Sequence, residues 1–189
     1  SSSVFLAGDN TWAAAGGGAW TLIETQTASA DATIDFTTLS ADYIDFKIIC
    51  SNVVPATDGQ GGWFRLSTSS SFLTSGYTWA MSGSDQDAAV KTNGSSTSST
   101  HINVNYSGIG NTVGENLYCE FTVSDVHDTV NQKMCSFTSS YGDSTPDFEQ
   151  IRGGGTHPAT TAAIDGLQFL FSAGNVTSGE FTLYGRKVT

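Results

Sequence analysis

An all-β, antiparallel sandwich of jelly-roll type is the fold this sequence predicts, and three observations carry it. About ten short runs alternate apolar and polar residues, each bounded by Gly, Pro, Asn, Asp or Ser. No segment sustains a 3.6-residue apolar period, so helices longer than a turn are not expected. Only 13% of the residues are charged, against the ~25% of typical domains, and Ser, Thr, Asn and 21 glycines stand in their place. That composition suits strands with neutral, solvated faces.

The first run, Trp20 to Thr27, ends at a turn, Ser29-Ala30-Asp31. Ala32 to Thr38 follows and sets Ile34 and Phe36 on one face. Tyr43 to Val53 is the longest: Ile44, Phe46, Ile48 and Cys50 alternate with Asp45 and Lys47, the pattern of a half-buried strand. Pro55 closes it, and Asp58-Gly59-Gln60-Gly61-Gly62 reads as a loop. Trp63 to Thr68 and Tyr77 to Met81 come next, the latter placing Tyr77, Trp79 and Met81 together.

Residues 82–100 are dominated by small polar side chains and are expected to form an exposed loop. His101 to Tyr106, Asn116 to Ser124 and Gln132 to Ser139 resume the alternation, and a looser stretch leads through Phe148 to Ile151. Ile164 to Ser172 and Glu180 to Arg186 close the chain, joined by 173–179 as a hairpin-type loop. With 189 residues the default is one domain, 19–189, able to bury about 70% of its unfolded surface without disulfides or metal. Residues 1–18 form a short arm. Its Phe5, Leu6 and Trp12 need a surface to bury against, and Gly16-Gly17-Gly18 makes a flexible joint.

The net charge of −11 and seven scattered basic residues exclude a phosphate-binding patch, so neither nucleic acid nor anionic membrane is an expected partner. No apolar run is long enough to span a bilayer, and no signal-peptide pattern opens the chain. Cys50, Cys119 and Cys135 are odd in number and sit in apolar runs. They read as buried, reduced thiols of a chain folded in a reducing cytoplasm.

Catalytic signatures are missing: there is no nucleophile elbow, no paired His at helical spacing and no phosphate loop. His127-Asp128 suits a polar turn as well as an oriented imidazole. Asp58, Asp85 and Asp87 fall short of the oxygen-ligand set calcium uses, so no metal or other cofactor is expected. Trp63, Phe64, Tyr77 and Trp79 are either core residues or a sugar-stacking platform, and the core assignment is favoured. Candidate ligand-surface residues are therefore Asp58, Asp85, Asp87, Trp63 and Trp79, and the loops 55–62 and 82–100 are the expected recognition surface.

The run Phe5-Leu6-Ala7-Gly8-Asp9-Asn10-Thr11-Trp12 resembles the "FLxGDGTW" element of tail-fibre and other virion proteins of tailed bacteriophages, with Asn10 in place of the second glycine. Asn tolerates the left-handed backbone such a turn uses. The segments 39–59, 110–115 and 171–185 are similar to small β-rich phage proteins. The resemblance implies a non-enzymatic component of the virion surface that contacts other virion proteins, forms a homo-oligomer, a trimer by preference, and meets a host-surface glycan. A fibre or receptor-binding role leads, capsid decoration is the alternative, and a carbohydrate-binding or carbohydrate-active protein is a further one. The absence of heptads or a long shaft repeat tempers the fibre role.

Overall fold

The computed structural model of the chain describes residues 4–6, 12–14, 20–87 and 90–187, giving backbone alone at 4–6, 12–14 and 90–93. Fifteen strands and no helix occur among the described residues. β1 (Val4–Leu6) and β2 (Trp12–Ala14) pair only with each other, Leu6 opposite Trp12. The remaining strands are β3 (Thr21–Asp31), β4 (Ile34–Phe36), β5 (Asp45–Pro55), β6 (Gly62–Thr68), β7 (Ser71–Phe72), β8 (Tyr77–Asp85), β9 (Val90–Ser99), β10 (Ile102–Asn103), β11 (Leu117–Val123), β12 (Cys135–Gly142), β13 (Phe148–Thr156), β14 (Gly166–Phe171) and β15 (Val176–Arg186).

They form two antiparallel sheets packed face to face. One has eight strands in the order β3-β15-β5-β11-β12-β13-β8-β9; the other runs β10-β6-β14-β4, with β7 beside β6. Three long-range pairs are nested, β5·β15, β6·β14 and β8·β13, and they alternate between the sheets. That is the wrapped-hairpin logic of a jelly roll, here with β11 and β12 inserted into the larger sheet.

Alternation explains most of the strands. In β11, Leu117, Cys119, Phe121 and Val123 are buried while Tyr118 points outward; in β12, Cys135, Phe137, Ser139 and Tyr141 do the same. β5 breaks the rule, since Cys50 and Val53 are both fully buried although three residues apart. A bulge reconciles them: the register shifts against β11 and β15 around Ser51–Asn52, and Asn52 takes a φ of 53°. An extra residue in one strand restores the inward phase.

The core is rich in aromatic rings. Phe64 of β6 stacks on Phe121 of β11 at a centroid distance of 4.0 Å and 9°, joining the two sheets. Phe169 meets Phe64 edge-on at 5.2 Å and touches Phe171 and Phe181. Polar pins reinforce the contact. The buried Tyr77 hydroxyl accepts from Leu66 N (2.7 Å) and donates to Leu73 O (3.2 Å), and Ser139 Oγ donates to Val104 O (2.5 Å).

Four sequence expectations are corrected. Most of the expected loop 82–100 is strand: β8 continues to Asp85 and pairs antiparallel with β9, Val90–Ser99. β9 is the outermost strand, and its described side chains from Ser95 to Ser99 are exposed or half-exposed, so no apolar alternation marks it. The stretch from Phe148 is a nine-residue strand inside the larger sheet. Its signal is hidden by Gly153-Gly154-Gly155, where packing forbids side chains: a Cβ on Gly153 would lie 2.6 Å from Phe137 and 2.8 Å from Met81. The 173–179 segment is not a hairpin, because β14 and β15 belong to different sheets. The expected turn at 29–31 lies within β3, where Ala30 has a φ of 61° and Ser29 N donates to Asp31 Oδ2.

Phe64→Ala removes both a large buried ring and the face-to-face contact between sheets. Chemical denaturation should register a loss of about 3–5 kcal/mol. The same change at Trp63, one residue along but on the outer face, should cost clearly less; equal losses would show that the sheets are not held through Phe64.

Candidate functional site

Strand direction gathers one end of the sandwich into a continuous surface. The segments after β5, β8 and β12, and before β11, all emerge there. An isolated bridge pairs Gln60 with Ile109, and Ile109 pairs with Asp143. Of the expected ligand-surface residues, Asp58, Asp85 and Asp87 lie at this end. Asp58 is exposed and its Oδ1 accepts from Asn111 N (3.3 Å); Asp85 Oδ1 accepts from Asp87 N (3.1 Å) in the turn after β8. No cluster of His, Cys, Asp or Glu suited to a metal ion occurs among the described residues.

Trp63 follows the 56–61 segment at the start of β6, where a Cβ on Gly61 would lie 2.8 Å from its Nε1, whereas Trp79 does not share this end. Trp79 precedes Asp85 by six residues on β8, about 20 Å along an extended strand. It is half-buried and packs against the core. Trp63 departs from the core assignment: Phe64 takes the inner face, so Trp63 faces outward on the smaller sheet. Its ring is stacked on His101 at 3.8 Å and 10°, which covers one face that a sugar would need. Sequence reasoning grouped these aromatics because they are near in the chain, but strand alternation separates them. The side chains of Phe5, Leu6 and Trp12 and the glycine joint Gly16–Gly18 lie outside what the structure describes; the backbone pairing of β1 with β2 is described.

The end carrying the three aspartates is rigid because its polar groups are paired internally. Tyr106 N and Ser107 N donate to the Tyr141 hydroxyl at 2.8 and 3.2 Å, and that hydroxyl donates to the buried Glu149 carboxylate. Ser107 Oγ donates to the other Glu149 oxygen at 2.5 Å. Burial, together with this carboxylate, pushes the Tyr141 phenol up, so it acts as a permanent donor. Asp143 Oδ1 accepts from Thr145 N, Thr145 Oγ1 and Asp147 N, closing the β12–β13 turn. Asn105 Oδ1 accepts from Gly62 N at 2.7 Å. These carboxylates hold loops in place.

Sequence reasoning missed a groove on the outer face of the larger sheet, beside that turn. It has a volume of about 460 Å³, and its walls are Tyr118 of β11, Phe148 of β13 and the loop 113–116. Tyr118 is 43% and Phe148 51% exposed. The signal was present in β11, where Tyr118 is the aromatic on the solvent phase of a clean alternation.

Comparison with protein-family models, with curated proteins and with solved structures finds no match to this chain.

Burial raises the thiols of Cys50, Cys119 and Cys135 well above their ordinary range, which makes them poor nucleophiles. Alkylation of the native protein should be slow and become fast on unfolding; rapid native labelling would contradict the buried placement.

His101 is pulled from 6.5 down to about 4, first by burial and then by the Arg65 guanidinium. A depressed histidine contributes stability that is complete above the unfolded value of 6.5 and is lost as pH falls through 6.5 toward 4. A proton chemical-shift titration should place the His101 ring near 4, and His101→Gln should flatten that limb of the melting-temperature profile. An unshifted midpoint would show the ring to be solvated.

Proposed function

We propose that this chain is a non-enzymatic structural module of the surface of a tailed-phage virion. It docks through its N-terminal segment and presents the sandwich outward as an attachment surface. The observation that carries the proposal is the separation of β1 and β2 from both sheets of the sandwich. A two-stranded ribbon is marginal by itself in water, so this part of the chain gains most from covering by another surface. Its sequence, Phe5 to Trp12, is also the part that resembles a virion element.

The non-enzymatic assignment draws on what the buried acids do. Asp45 accepts from Asp125 N (2.9 Å) and pairs with Arg186; Glu115 Oε2 accepts from Thr112 N (2.8 Å); Asp143 and Glu149 brace turns. Each carboxylate has a structural task. Self-association, a trimer by preference, has an edge to use. β3 pairs β15 on one side only, is exposed over most of its length, and presents Leu22 at 58% exposure. An exposed strand edge is a ready template for another chain. Capsid decoration is the second reading, favoured by the lack of any shaft repeat among the described strands.

Removing residues 1–15 should leave the melting temperature of the sandwich close to that of the parent while sharply reducing incorporation into particles in a complementation assay. Sedimentation equilibrium of the full chain should return three copies. A truncated chain that still joins the particle at the parent level would end the docking proposal.

A further inference from the structure

We infer that the groove between Tyr118 and Phe148 is a binding site for a neutral saccharide. This rests on the attachment role proposed above for its biological setting, while its chemistry comes from the groove alone.

The walls follow from register. Tyr118 on β11 is opposite Ser140 on β12, and Gly142 on β12 is opposite Phe148 on β13. All four lie on the outer face, since Cys119, Tyr141 and Glu149 point into the core. β11 and β13 flank β12 and so run about 9–10 Å apart. Two exposed aromatics therefore stand on either side of a strand whose own side chains are too small to fill the space. Gly142 has a second role: a Cβ there would lie 3.2 Å from the Glu115 backbone, so its absence lets the loop 113–116 pack down as an end wall.

The rim is preorganised. Gln86 N donates to Phe148 O (2.9 Å), Phe148 N donates back to Gln86 Oε1 (3.3 Å), and Gln86 Nε2 donates to Asp147 Oδ1 (2.6 Å). Phe148 is thereby held from two sides, by β12 and by the turn after β8. Binding then orders little that is not already ordered.

Available hydrogen-bonding groups line the same space. The Ser140 hydroxyl, the Asn116 amide and the Tyr118 hydroxyl bond no described residue, and between them they can both donate and accept. Apolar ring faces beside neutral donors and acceptors match a pyranose, which has a C–H face and an equatorial fringe of hydroxyls.

Charge selects among sugars. Among the described residues no Lys or Arg lines the groove, whereas Glu115 and Asp147 do, on a chain of net charge −11. A sialylated, uronic or sulfated glycan would meet repulsion there, so the ligand is uncharged. The site differs from the Trp63 surface, where His101 already occupies a ring face.

The test applies the full-length chain to an array of neutral hexose and N-acetylhexosamine oligosaccharides beside sialylated and sulfated ones, then titrates the best neutral binder by calorimetry. At least one neutral oligosaccharide should bind, and the anionic set should bind more weakly. Tyr118→Ala and Phe148→Ala should each weaken that binding about tenfold or more, with the melting temperature held because both side chains are exposed. Tyr118→Phe keeps the ring and should retain most of the affinity, which separates stacking from a folding defect. Binding by no neutral saccharide, a preference for the anionic set, or alanine variants that bind like the parent would overturn the proposal. Particle incorporation is scored separately: a chain that binds sugar but never joins a particle keeps this site and sinks the docking role, and the reverse result does the opposite.

Discussion

Phe64 and Phe121 lie face to face across the space between the two sheets, and most other features of the molecule depend on that contact. Each ring arrives from the middle of its strand, with Phe169 and Phe181 packed around them. The contact fixes how the sheets sit on one another. Hydrophobic packing alone is non-directional, so the polar pins matter as well: Tyr77 on one sheet satisfies backbone groups of the other, and Ser139 reaches the Val104 carbonyl. Burial supplies the driving force, and the hydroxyls choose the alignment.

That alignment makes the two ends of the sandwich unequal. At one end, Asn105, Tyr141, Glu149 and Asp143 use their side chains to hold backbone that has no strand partner. Fully satisfied buried networks of this kind rigidify the segments they join. Asp58, Asp85, Asp87 and the Tyr118–Phe148 groove are all at this end, on a scaffold that is already ordered. Loops that would otherwise be mobile become a fixed surface, which is what recognition without a large ordering cost requires.

The charge distribution agrees with this division of labour. Four of the seven basic residues are engaged one by one: Lys47 bonds Glu120 at 2.7 Å and lies over Trp20, Arg186 meets Asp45, Lys133 donates to Asn131 and Thr161 carbonyls, and Lys187 lies over Tyr43. They lock strands and turns together. The remaining surface is acidic and rich in neutral polar groups, suited to uncharged ligands and to solubility more than to polyanions.

Period-two alternation is a local property, and wherever a strand has one buried and one solvated face the residues themselves reveal it. β5, β11 and β12 were legible for that reason, as was the all-β class. Where a neighbour in space decides the side chain, the signal is lost. β13 carries glycines because Phe137 and Met81 fill the room, and β9 is an edge strand whose described side chains from Ser95 to Ser99 stay largely in solvent. The join between β14 and β15 looked like a hairpin since its turn residues suit one, yet the two strands find their partners far away, in β6 and β5. The groove shows the same division. Tyr118 was recognisable as an aromatic on the solvent phase, but its meeting with Phe148 depends on β13 pairing with β12 and on Gly142 admitting the loop 113–116. Where alternation is clean, sequence determined which side chains point in and which point out; tertiary structure decided the rest, and which of them meet, because pairing register is set by contacts between residues far apart in the chain.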